Sequence, residues 1–183
     1  MEWADYSDQI KKGLDSFIFD KEIISLLRDS KKNKQKIFIA GNGGSAATAM
    51  HYSCDFSKGA TQNWDKNFDR YKVICLSSEI SHITAIANDS EYKDIFKQQL
   101  INLASKGDIA IFLSASGNSP NIVTAAEFAK KELEMVVVGI TGFKGGKLKQ
   151  IADYSAYVNS DSYGVSEDIH SIFGHFLTVC MKE

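Results

Sequence analysis

The chain has 183 residues, 44% of them hydrophobic and 24% charged, with a formal net charge of −2. These values describe one ordinary globular domain with enough apolar residues for a full core, and the small net charge gives no expectation of a nucleic-acid partner. No segment approaches the about 18 apolar residues of a membrane span, and the N-terminus carries Glu2 and Asp5 where a secretory signal would be basic, so a cytoplasmic protein without a membrane partner is expected.

From Tyr6 to about Lys31, apolar residues recur at helical spacing (Ile10, Leu14, Phe17, then Ile23, Ile24, Leu26, Leu27) with a break near Phe19-Asp20, which predicts two N-terminal helices. Lys31, Lys32, Lys34 and Lys36 follow and read as a solvated helix end. The period then changes. Residues 36–40, 71–76, 108–113 and 135–140 are short, nearly unbroken apolar runs rich in β-branched residues, and 154–158 is a weaker fifth. Runs that are apolar on both faces, each followed by a turn and a helical stretch, predict a single α/β domain with a doubly wound parallel sheet. In such sheets ligands bind beyond the carboxyl ends of the strands. Cys54, Cys75 and Cys180 are odd in number, far apart and without a CxxC pair, so neither a disulfide framework nor a zinc ribbon is indicated; all three are expected to be buried.

The first strand runs into Gly41-Asn42-Gly43-Gly44-Ser45-Ala46, and a helix follows. Glycines let the backbone turn sharply against a ligand, and the helix start adds free N–H groups and a positive dipole end, so an anion is expected there. The third strand ends in Ser114-Ala115-Ser116-Gly117-Asn118-Ser119-Pro120, with Pro120 suited to a first helical turn capped by Ser119. Its hydroxyls and free N–H groups make a neutral cradle for a phosphate dianion, although each serine alone also reads as a turn or cap residue. Gly41-x-Gly43-x-x-Ala46 formally fits a dinucleotide fingerprint, but the acid expected about 20 residues on is missing, and the first carboxylate after the second strand is Glu79.

His51 and Asp55 share one face of the helix after the glycine loop, and Glu167, Ser171 and His175 form a single stripe on a final helix over about 166–181. Two carboxylates and two histidines fit a four-ligand zinc site, while either pair alone also reads as a surface contact. His170 lies about 140° around that helix from His175 and is left out of the site. His82 has no partner at ligand spacing, and Asn88-Asp89 either closes a helix or reaches a ligand.

These motifs in this order, with Thr141-Gly142-x-x-Gly145-Gly146 between them, resemble the sedoheptulose 7-phosphate (phosphoheptose) isomerases of the sugar-isomerase, or SIS, superfamily over nearly the whole chain. The resemblance implies a flavodoxin-like five-stranded sheet with helices 1–31 serving oligomerisation, a sandwich over 36–183, and a homotetramer whose sites form between subunits. It implies that Ser45, Ser114, Ser116 and Ser119, with Ala115, hold phosphate and that Asn42, Gly43, Gly44, Asn88 and Asp89 lie near the sugar. It places zinc on His51, Asp55, Glu167 and His175, with Glu167 also at the substrate. Asp55 would move the proton between C1 and C2 of sedoheptulose 7-phosphate, and His175 the proton on oxygen. The product would be D-glycero-D-manno-heptose 7-phosphate, for lipopolysaccharide, capsule or surface-layer glycans. Two positions depart from the family: Asp55 stands where glutamate is usual, and Glu167 where glutamine is. A non-catalytic phosphosugar-binding SIS protein and an isomerase of another ketose phosphate are the alternatives to this reading.

Overall fold

The structure is a computed structural model that describes residues 2–61, 65 and 68–182. Two helices open the chain, α1 (Trp3–Ser16) and α2 (Glu22–Lys32), and the break between them holds a two-residue strand, β1 (Ile18–Phe19). A reciprocal capping box between Glu2 and Asp5 starts α1. Gly13 is buried in it because a side chain there would collide with Ile169 of the final helix.

Five parallel strands follow: β2 (Lys36–Ala40), β3 (Lys72–Cys75), β4 (Ile109–Ser114), β5 (Val136–Thr141) and β6 (Tyr154–Tyr157). All five predicted strands are present, and the sheet gains β1 as a sixth, antiparallel edge strand on β6, giving the order β1-β6-β5-β4-β2-β3. β1 escapes sequence detection because two residues carry no period and Ile18 is 61% exposed at the sheet edge. Among the parallel strands the arrangement is flavodoxin-like: the chain leaves β2 for β3 on one side and returns to place β4 on the other.

Alternate residues of each strand feed two cores. Ile37, Ile39, Ile111 and Val138 pack with Ile23, Leu27, Tyr52, Phe173 and Leu177 under α2, α3 (Gly44–Cys54) and α8 (Tyr163–Met181). Phe38, Ala110, Phe112 and Val137 pack with Ile95, Leu100, Ile122 and Leu148 under α5 (Ile95–Leu103), α6 (Pro120–Lys131) and α7 (Gly146–Ile151). α4 (Ile80–Asp89) lies over that second layer through Ile83 and Ile86. Every residue of β4 is buried, as a central strand covered on both faces requires. Each such Ile or Phe contributes about 1.5–3 kcal/mol by leaving water.

Of the cysteines, only Cys75, at the end of β3, is buried. Cys54 is exposed on the last turn of α3 and Cys180 is half-buried on α8, which corrects the expectation for both. Among the described residues no helix is long and apolar enough to cross a membrane.

Candidate active site

The carboxyl ends of β2 and β4 are neighbours, so the glycine and serine loops meet over the point where the strand order reverses. Gly41 is clamped by Ser77 beyond β3, whose hydroxyl accepts from Gly41 N at 3.0 Å and donates to Gly41 O at 2.8 Å. Gly43 takes φ +54°, and α3 begins at the next residue, its positive end directed at the loop. Asn42 and Asn121 exchange amide hydrogen bonds, 2.8 Å each way, and so tie the two loops together.

In the serine loop, Ser119 occupies the N-cap of α6 with Pro120 in the first turn, as predicted, but its hydroxyl makes no cap bond. It lies 3.3 Å from Ser114 Oγ across the cleft floor. Ser116 Oγ accepts from Asn118 N at 3.2 Å. A third loop braces this one from behind: Gly142 N donates to Ala115 O and Leu148 N to Gly117 O, both at 2.9 Å. Gly117 sits at φ +66°, and a side chain there would strike the backbone of Gly145. The glycines of 141–146 are therefore packing elements of the cradle.

The resulting cleft, about 120 Å³, is lined by Asn42, Ser45, Ser114, Ala115, Ser116, Ser119, Tyr163 and Glu167, with Leu113 beneath. Sequence reasoning missed Tyr163, Asn121 and Ser77: a lone tyrosine at a helix start, an asparagine in a first turn and a loop serine carry no pattern of their own. Tyr163 stands at the cleft on the first turn of α8, its ring against Phe143 with centroids 4.7 Å apart.

From the cleft, α3 and α8 run side by side in the same direction. Glu167 lies against Gly44 and within 3.5 Å of Ser45 Oγ. One turn on, Thr48 Oγ1 is 3.3 Å from Ser171 Oγ. Beyond these, His51 Nε2 is 3.2 Å and His175 Nε2 3.7 Å from Asp55 Oδ2, and the two ring nitrogens are 3.3 Å apart. The helices approach this closely because residue 174 is glycine; a Cβ there would collide with the Tyr52 ring. Asp55 opens a π-helical turn, Asp55–Gly59, that continues α3, an irregularity common at functional sites.

His51, Asp55 and His175 thus offer three donor atoms within 4.8 Å of one another, suited to a borderline divalent cation. Glu167, expected as the fourth ligand, is outside this group and lines the serine cleft. Asn88 and Asp89 close α4, bonded to each other at 2.8 Å, exposed and outside the cleft. His82 is exposed on α4. His170 points into the interior, as its helical angle requires, and burial lowers its pKa from 6.5 to about 4, so it is neutral near pH 7.

The model of the SIS domain family matches residues 8–142. A phosphoheptose isomerase of Helicobacter pylori is 36% identical over 162 residues, covering 88% of this chain and 82% of that protein. The chain belongs to the phosphoheptose isomerases of the SIS domain family. A second relative, phosphoheptose isomerase 2 of Campylobacter jejuni, is 34% identical over 173 residues, with 90% and 83% coverage. Among solved structures, a phosphoheptose isomerase from Neisseria gonorrhoeae superposes with a TM-score of 0.83 at 26% identity, covering 97% of this chain and 95% of that one.

Proposed function

We propose that this protein converts sedoheptulose 7-phosphate to D-glycero-D-manno-heptose 7-phosphate through an enediol, in the cytoplasm, for heptose-containing surface glycans. The observation that carries this reading is the shared seam of α3 and α8, which holds a hydroxyl-lined cleft at one end and a His/Asp/His cluster at the other. A sugar phosphate has the same two ends.

In this reading the phosphate is taken by the hydroxyls of Ser45, Ser114, Ser116 and Ser119 and by the backbone at Ala115, Gly43 and Gly44. Asn42 faces the sugar. His51, Asp55 and His175 hold a zinc ion, with Glu167 the fourth donor expected from the resemblance. When bound, zinc supplies polarisation of the carbonyl oxygen and stabilisation of enediolate charge. Asp55 takes the C1 proton and returns it at C2, while His175 shuttles the proton between the two oxygens and assists ring opening.

The side chains of His51 and His175 are 52% and 59% exposed, more open than a site that must exclude water. This supports sites completed between subunits of a homotetramer. So does a groove of about 240 Å³ between α1, β1 and α8, lined only by apolar side chains including Leu14, Phe17, Ile172 and Phe176, which fits an oligomerising role for residues 1–31. α4 buries none of its residues and leaves Ile80 73% exposed, so we read Asn88 and Asp89 as sugar contacts in that assembly.

The test is conversion of sedoheptulose 7-phosphate by the purified protein with and without a chelator. Product formation that the chelator stops and zinc restores is expected. A folded, zinc-loaded protein that leaves the ketose unchanged would contradict the proposal.

A further inference from the structure

We infer that Glu167 is an electrostatic gate on the serine cleft, so that a phosphate group binds there well only after a divalent cation occupies the His51/Asp55/His175 cluster. The inference rests on the reading of that cleft as a phosphate cradle. Its lining contains no cationic side chain and one carboxylate, Glu167, among neutral hydroxyls and an amide. The cleft is small, about 120 Å³, so a phosphate dianion inside it would lie a few ångströms from that charge. Like charges at such separation disfavour each other strongly in a partly buried site, and Glu167 is half-buried.

The carboxylate is held in this position by the backbone of α3. Gly44 leaves the space that both Glu167 oxygens occupy, since a Cβ at that position would collide with each of them, and the hydroxyl of buried Ser45 lies 3.5 Å from one of these oxygens. Glu167 cannot relax toward Gly44. Along the α3/α8 seam, the Thr48 and Ser171 hydroxyls, 3.3 Å apart, stand between Glu167 and the cluster two turns further on. A cation there attracts the Glu167 carboxylate away from the cleft and offsets its charge, and the hydroxyls become free for phosphate. Metal and phosphate binding are then positively coupled, and by linkage each tightens the other by the same factor.

The test measures inorganic phosphate binding by calorimetry on the full chain, metal-free and zinc-loaded with excess zinc removed, for the wild type and Glu167→Gln. Metal-free Glu167→Gln should bind phosphate about tenfold or more tighter than metal-free wild type. Zinc loading should tighten phosphate binding in the wild type by a larger factor than in the variant. Reciprocally, phosphate should tighten zinc binding in the wild type, a measurement that needs no variant; its absence would overturn the inference. Equal phosphate affinity of the two metal-free proteins, or equal effects of zinc on both, would likewise overturn the gate while leaving the cradle intact. If neither protein binds phosphate in either state, the cradle reading fails and the gate with it.

Discussion

The two ends of the α3/α8 seam are made differently. The serine cleft is built from backbone: Ser45 and Ser114 are 5% exposed, Ala115 and Gly117 are braced by the loop after β5, and glycines stand wherever a Cβ would strike a neighbouring segment. The His/Asp/His cluster is built from side chains alone, two of them more than half exposed, projecting from helices whose cores are already packed without them. A cradle of the first kind is pre-formed and loses stability when altered. A cluster of the second kind can lose its chemistry while the fold stays intact.

The largest expected effect lies on the side-chain end. Asp55→Asn should lower kcat on the order of a thousandfold, the worth of a general base, with the thermal midpoint nearly unchanged. A large fall in that midpoint would break the contrast.

Next comes the packed wall of α8 behind both ends. His170 has a folded-state pKa depressed from 6.5 to about 4, so between those values the unfolded chain binds a proton that the folded one does not. Its contribution to stability is intact above pH 6.5 and is lost as pH falls toward 4, by about 3 kcal/mol. Denaturant unfolding at pH 7 and pH 4 should show a smaller acid loss in His170→Leu than in the wild type; equal losses would contradict this assignment.

On the built end, Gly117→Ala places a Cβ against Gly145 at a positive φ and should cost about 1–3 kcal/mol of stability together with phosphate affinity. Chemical denaturation alongside phosphate titration checks both. The smallest effect is that of Ser116→Ala, which removes one half-buried hydroxyl and should raise KM about tenfold with kcat little changed. A fall in kcat with constant KM would move Ser116 from holding the phosphate to the chemistry.

The parallel strands were legible because burial on both faces leaves nearly continuous apolar runs, of which Ile109–Ser114 is the plainest case. The break between α1 and α2 was legible, but the strand inside it was not. The candidate site residues stood out because Ser, His and Asp occur at fixed offsets from glycine turns and along helix faces. What spacing could not give was the partner of each side chain. Glu167 shares a stripe with His175, yet whether it meets the cluster or the cleft depends on the absence of a Cβ at residue 44, a property of another helix. The Asn42–Asn121 pair and the packing of Gly142 against Ala115 and of Gly145 against Gly117 likewise join segments far apart in the chain. The exposure of Cys54 and Cys180 follows from helix rotation, which residue type alone does not fix.

The most direct test of the central claim, proton transfer between C1 and C2 by a group on the α3/α8 seam, is proton NMR of sedoheptulose 7-phosphate in deuterated water with the zinc-loaded protein. Formation of a heptose 7-phosphate carrying deuterium at C2, with loss of a C1 proton signal from the recovered ketose and neither change with Asp55→Asn, is the predicted result. A zinc-loaded wild type that leaves the ketose unconverted with both C1 protons unexchanged, or full conversion and exchange by Asp55→Asn, would contradict the account.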